Sequence, residues 1–232
     1  MTTVLLVRHG LTAMTGPVLA GRTAGVHLDD RGTAQAKALA ERLLPLPLAA
    51  IVTSPLERCR ETAKEMAAGR PATKIQVDKR FIECEYGEWT GRPLKELAKD
   101  PLWKVVQAHP SAAVFPGGEP LRDSQARAVA AVRDWNARLG DDATYAVVSH
   151  GDIIKAILAD ALGLHLDQFQ RVAVDPCSMS VVRYTELRPF VVRTNDSGGS
   201  VADLMPPKRK GRARKRSSDA VVGGGAGGGG SL

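Results

Sequence analysis

Thr3–Gly10 reads TVLLVRHG and Tyr145–Gly151 reads YAVVSHG. Each is a short apolar run rich in β-branched residues that ends in histidine and glycine, and His9 and His150 stand 141 positions apart. A continuous run of this kind fits a strand buried on both faces. A polar residue plus glycine at its carboxyl end fits the turn at which open α/β sheets bind ligands. Both histidines are therefore predicted to point into one crevice. Arg8 immediately precedes the first, so the crevice suits an anion better than a metal cation.

Helical and strand patterns alternate outward from these runs. After the Leu11–Asp29 loop, Ala34, Ala38, Leu39 and Leu43 predict one face of a helix that ends at Pro45 and Pro47. A buried strand, Ala49–Thr53, meets Ser54-Pro55-Leu56-Glu57, which reads as a capping box with proline at the first helical position. That helix is predicted to reach Ala68 and stop at Gly69. Lys74–Asp78 reads as a strand, Leu94–Val106 as one short helix, and Glu119–Leu139 and Asp152–Leu162 as longer ones. Met179–Tyr184 and Pro189–Thr194 read as two edge strands joined by a tight turn, closing the sheet in antiparallel fashion.

The chain has 232 residues and a formal net charge of +7. Of its 32 basic and 25 acidic residues, seven and three lie from residue 196 onward, leaving 25 and 22, a net +3, in residues 1–195. The chain is thus read as one α/β domain over 1–195 followed by a disordered basic and Gly-rich tail over 196–232, whose composition cannot bury enough apolar surface to offset ordering entropy. The tail run PKRKGRARKR reads as a solvated charge cluster; a weak, salt-sensitive tether to nucleic acid or acidic partners is the alternative. Three cysteines without metal-ligand spacing point to a reducing compartment. No leader-like amino terminus and no membrane-length apolar run is read, so a cytoplasmic protein with no membrane partner is expected.

The chemistry follows from residue types at the strand ends. A neutral imidazole with one ring nitrogen held as N–H by a carbonyl presents a nucleophilic lone pair on the other, and His9 is placed to attack phosphorus. The Arg8 guanidinium suits phosphoryl oxygens, and Gly10 allows close backbone approach. Arg58, in the first turn of a helix, can join that helix's N–H groups in holding a dianion. Arg60, two positions on, competes with it: positions two apart point to different helix faces, so one of the two should enter the site. His150 offers a second imidazole. Glu83 is a carboxyl group whose pKa should be raised beside a phosphate, suiting it to protonate a leaving alkoxide; its neighbours Glu85 and Glu88 are the alternatives for that role. A metal triad of His9, His150 and Glu83 is disfavoured because two arginines would repel a divalent cation. Cys59 and Cys84 read as packing residues, with Cys84 near enough to the crevice for thiol reagents to block it.

In order and spacing, RHG at 8–10, GRTAGVHLDDRG at 21–32, SPLERCRETA at 54–63, IECEYGEWTG at 82–91, PGGE at 116–119 and SHGD at 149–152 resemble the histidine phosphatase superfamily, in its phosphoglycerate-mutase-like branch. The resemblance covers about residues 3–190. It implies a three-layer α/β/α sandwich with a mainly parallel central sheet and an antiparallel edge. It also implies a His9 that becomes phosphorylated, a Glu83 that acts as acid and then base, and a phosphate pocket of Arg8, Arg58 and His150. Gly10, Thr15, Gly21, Tyr86 and Gly151 are implied to join them around a small phosphomonoester, and no metal or organic cofactor is implied. Where the family usually carries asparagine, this chain has Thr15. The stretch PLWKVVQAHPSAAVFPGGEP lacks the arginine pair with which mutase members grip a carboxylate, which favours a hydrolase over a phosphomutase. A non-catalytic binding protein tethered by its tail is the reading from another class.

Overall fold

The computed structural model describes residues 1–198. Six strands form one sheet: β1 (Thr2–Arg8), β2 (Ile51–Thr53), β3 (Ile75–Val77), β4 (Thr144–Ser149), β5 (Met179–Tyr184) and β6 (Pro189–Asp196), in the order β3-β2-β4-β1-β5-β6. The first four are parallel neighbours; β5 and β6 run antiparallel. β5 pairs with β1 as well as β6, so it is an interior strand and not the second edge strand that the sequence predicted.

The central strands alternate two apolar faces, as strand geometry requires when both sides are covered. Val4, Leu6, Val52, Tyr145 and Val147 pack under α5 (Leu121–Leu139) and α6 (Gly151–Ala161). Leu5, Val7, Ile51, Ala146 and Val148 pack under α1 (Asp30–Leu43) and α2 (Glu57–Ala67). The expected three-layer α/β/α sandwich with an antiparallel edge is the observed architecture. A third apolar cluster around Trp89, Leu97, Phe115 and Phe169 gathers the connections next to the site.

Local departures from the sequence reading have local causes. In α1 the buried face is Gly32, Ala36, Leu39 and Leu43, while Ala34 and Ala38 are exposed: Asp29 caps the helix by accepting from Gly32 N at 2.7 Å and sets its rotation. The predicted helix 94–106 is two, α3 (Leu94–Leu97) and α4 (Pro101–Ala108). Pro101 lacks the N–H needed to continue the first, and Asp100 caps the second through Leu102 N at 2.9 Å. β6 runs through Asp196, whose carboxylate pairs with Arg42 and Arg193, one residue past the predicted domain end. The predicted disordered tail lies, from residue 199, outside the described residues. No described helix is long and apolar enough to cross a membrane.

Candidate active site

The parallel register pairs Arg8 with Ser149, and His9 N donates to Ser149 O at 3.0 Å. The histidines that follow each strand are thereby set side by side at the carboxyl edge of the sheet, with ring centroids 5.3 Å apart. They are not equivalent. His9 lines a cleft of about 450 Å³; His150 is fully buried one layer behind it.

His9 Nδ1 lies 2.8 Å from Gly10 O, so the hydrogen-bond network assigns the ring hydrogen to Nδ1 and leaves the Nε2 lone pair toward the cleft. Burial, and then the Arg58 charge, push its pKa down to about 3, which keeps the imidazole neutral. Gly10 serves the backbone: its N–H donates to Thr62 Oγ1 at 3.1 Å, and a Cβ there would stand 2.6 Å from Gly32 O. It is not among the cleft-lining residues.

Arg58, the second residue of α2, is buried, whereas Arg60 is exposed. Its Nε donates to His9 Nε2 at 3.3 Å and its Nη2 to Gly21 O at 2.7 Å and toward His150 Nδ1 at 3.3 Å. Nη1 is buried without a protein partner, as is Nε of Arg8, whose Nη1 donates to Val174 O at 2.7 Å. Two guanidinium groups in one cleft, each with a buried nitrogen that has no protein partner, make a binding site for an anion. Gly21 adopts φ +51°, a left-handed conformation that aims its carbonyl at Arg58.

The predicted capping box at Ser54 does not form. The helix starts at Glu57 without a side-chain cap, and Ser54 Oγ instead lies 2.8 Å from His150 Nε2, with Cys59 Sγ at 3.4 Å from the same nitrogen. Burial, then Arg58, hold the His150 pKa well below its ordinary value. Cys59 thus touches the site, while burial pushes its thiol up to about 12. Cys84 is fully buried in the third cluster and off the cleft, contrary to the expectation that thiol reagents reach it.

Glu83 lines the cleft with Oε2 3.9 Å from His150 Nδ1 and Oε1 accepting from Cys84 N at 2.9 Å. Burial, and next the Asp152 charge, raise its pKa to about 7. Glu85 instead pairs with Arg22 at 2.9 Å, and Glu88 is exposed. The Glu83 carbonyl is clamped by Arg22 Nε at 2.8 Å and Arg127 Nη2 at 3.1 Å, both of which also bind Glu119. Burial works against the Glu119 charge, but bonds from Arg127 and Ser124 hold its pKa at about 2. The PGGE loop therefore acts as a brace under the acid.

Thr15 lines the cleft, its hydroxyl turned to Thr12 N at 3.1 Å and Thr12 Oγ1 at 3.0 Å. Tyr86 lines it too and donates to Asp152 Oδ2 at 2.7 Å, and Gly151 enters as the first residue of α6. Leu94 is the one lining residue from the 89–120 segment; Val174 and Pro176 carry no sequence signal yet line the cleft. Ser54 reads in the sequence as a helix cap and not as a partner of His150, and Asp152 and Lys155 line the cleft without a role read from the sequence. Thr62 could have been read as a neighbour of the site, because it stands four residues after Arg58 and so shares its helix face. Among the described residues, no group of three or more His, Cys, Asp or Glu side chains is arranged to hold a metal ion.

The histidine phosphatase superfamily (branch 1) model matches residues 4–197. "Phosphoserine phosphatase 1" of Hydrogenobacter thermophilus is 32% identical over 201 residues, covering 84% of this chain and 92% of that one. "Probable phosphoglycerate mutase GpmB" of Yersinia pestis is 29% identical, covering 89% and 97%. The solved structure of Bacillus stearothermophilus YhfR superposes with a TM-score of 0.78 at 28% identity, over 84% of this chain and 98% of that one. With the paired strand-end histidines, the two open guanidinium groups and the braced carboxyl group in one cleft, the chain belongs to the histidine phosphatase superfamily.

Proposed function

We propose that the protein is a phosphomonoester hydrolase for a small phosphorylated metabolite, working through a phosphohistidine at His9 Nε2. The observation that carries this reading is the His9 ring itself: neutral, fixed through Nδ1, and facing Arg8 and Arg58. The phosphate dianion takes the open donors of both guanidinium groups, and Arg58 releases the Nε2 lone pair as it turns to the anion. His9 attacks phosphorus in line, the P–O bond to the leaving group breaks, and protonated Glu83 delivers its proton to the departing alkoxide. Glu83, now ionised, takes a proton from water. The resulting hydroxide displaces phosphate from His9, which returns the imidazole and the acid to their starting states. His150, held by Ser54, contributes to the charge environment of the phosphoryl group.

Hydrolysis is favoured over phosphoryl return to a bound product because, among the described residues, no arginine pair stands beyond Arg8 and Arg58 on the cleft to hold a phosphoglycerate carboxylate. Three free, buried cysteines support a reducing, cytoplasmic setting. The test is a screen of phosphorylated metabolites for free phosphate against isomerised ester, with His9→Ala as the blank. Free phosphate that depends on His9 is expected; a predominance of isomer overturns the hydrolase reading.

A further inference from the structure

The base of the cleft is cationic, but much of its lining is apolar. Met14, Val18 and Leu19 contribute from the loop after β1, Leu94 from the start of α3, and Val174 and Pro176 from the segment before β5. The first wall is held by backbone bonding: Val18 bridges to Pro93, Leu19 N donates to Arg92 O at 3.0 Å, Gly91 N to Leu19 O at 2.8 Å, and Leu94 N to Pro17 O at 3.0 Å. Its apolar side chains are therefore presented by ordered chain.

Charge in the same cleft points the same way. Among the described residues lining it, Lys155 is the one cation beyond Arg8 and Arg58. Its Nζ stands 3.6 Å from Asp152 Oδ1, donates to Gln170 Oε1 at 3.1 Å and lies 5.7 Å from the centre of the Phe169 ring. The Asp152 carboxylate itself lines the cleft. A carboxylate on the leaving group would meet a cation that is already paired, beside a negative charge, and would lose its water. The volume of about 450 Å³ exceeds what a phosphoryl group needs and falls within the range of roughly 300–1,000 Å³ typical of organic-ligand sites.

We infer that this site takes the phosphate ester of an alcohol with extended apolar surface and no carboxylate, with the alkyl or aryl part lying along Met14, Val18, Leu19 and Leu94. The inference rests on the phosphatase reading above. It is tested on the full chain with ethyl, butyl and hexyl phosphate, whose leaving alkoxides differ little in basicity, against phosphoserine and 3-phosphoglycerate. Full burial of one methylene is worth about fourfold in kcat/KM. In this open cleft, a rise of at least about tenfold from ethyl to hexyl phosphate is expected, with both carboxylated esters below butyl phosphate.

Leu94→Ser is expected to flatten the ladder, lowering hexyl more than ethyl phosphate; a merely structural role would lower all esters alike. A flat ladder in the native chain, an equal loss on all esters in Leu94→Ser, or a tenfold preference for either carboxylated ester overturns the inference while leaving a His9-dependent phosphatase in place. Absence of phosphate release from every ester overturns the phosphatase reading itself.

Discussion

Replacing Glu83 by glutamine separates what the fold pays for this acid from what the reaction gains. Glutamine keeps the shape and the Oε1 acceptor for Cys84 N, and removes only the ionisation. In the folded chain the carboxyl pKa stands at about 7 against an ordinary 4.5, first through burial and then through the Asp152 charge. The folded state therefore keeps a proton that the unfolded chain has already released. This contribution to stability is fully present below pH 4.5 and is lost as pH rises through about 7. The gap corresponds to about 3 kcal/mol. Denaturant unfolding of both proteins between about pH 4 and pH 8 should show Glu83→Gln gaining on the native chain by that order as pH rises. With a poor leaving group, kcat/KM should fall by about 10²–10⁴-fold, since general acid catalysis is lost. A stability difference that stays constant across the pH range would refute the buried-acid assignment.

Ser54→Ala removes a buried bond to His150 and leaves Nε2 with the Cys59 thiol alone; a loss of about 1–3 kcal/mol is expected, read as a lower Tm. An unchanged melting curve would show that Ser54 is not holding the ring. Gly21→Ala places a Cβ 2.9 Å from Thr90 Oγ1 at a backbone φ of +51°. The strain of about 1–2 kcal/mol should shift the carbonyl that anchors Arg58, so kcat falls along with stability; native kcat at reduced stability would detach Gly21 from the site.

The sequence made the sheet legible where residue order and physical period coincide. The two apolar runs ending in His-Gly could be strands of one edge only if paired in parallel, and Arg8 opposite Ser149 is that pairing. Helix geometry narrowed the pocket arginine to one of Arg58 and Arg60, and the register of the family motif chose Arg58. Ser54 was misread because a cap and a ligand for a distant imidazole use the same hydroxyl, and only the packing of β2 beside β4 decides between them. The outer cleft was less legible still. Val174 and Pro176 reach it from a connection without periodicity, and the Val18–Pro93 bridge depends on two loops meeting. Strands and helices carry their partners in their spacing; these loops acquire theirs from the sheet that brings them together.

The account turns on the destination of the phosphoryl group. Rapid mixing with a labelled monoester, alkaline quench and peptide mapping tests it directly, because phosphohistidine survives alkali. Label on Nε2 of His9, formed as fast as turnover and absent in His9→Ala, is the predicted result. Turnover without label on His9, or label on Nδ1, which here is held by the Gly10 carbonyl, would contradict it.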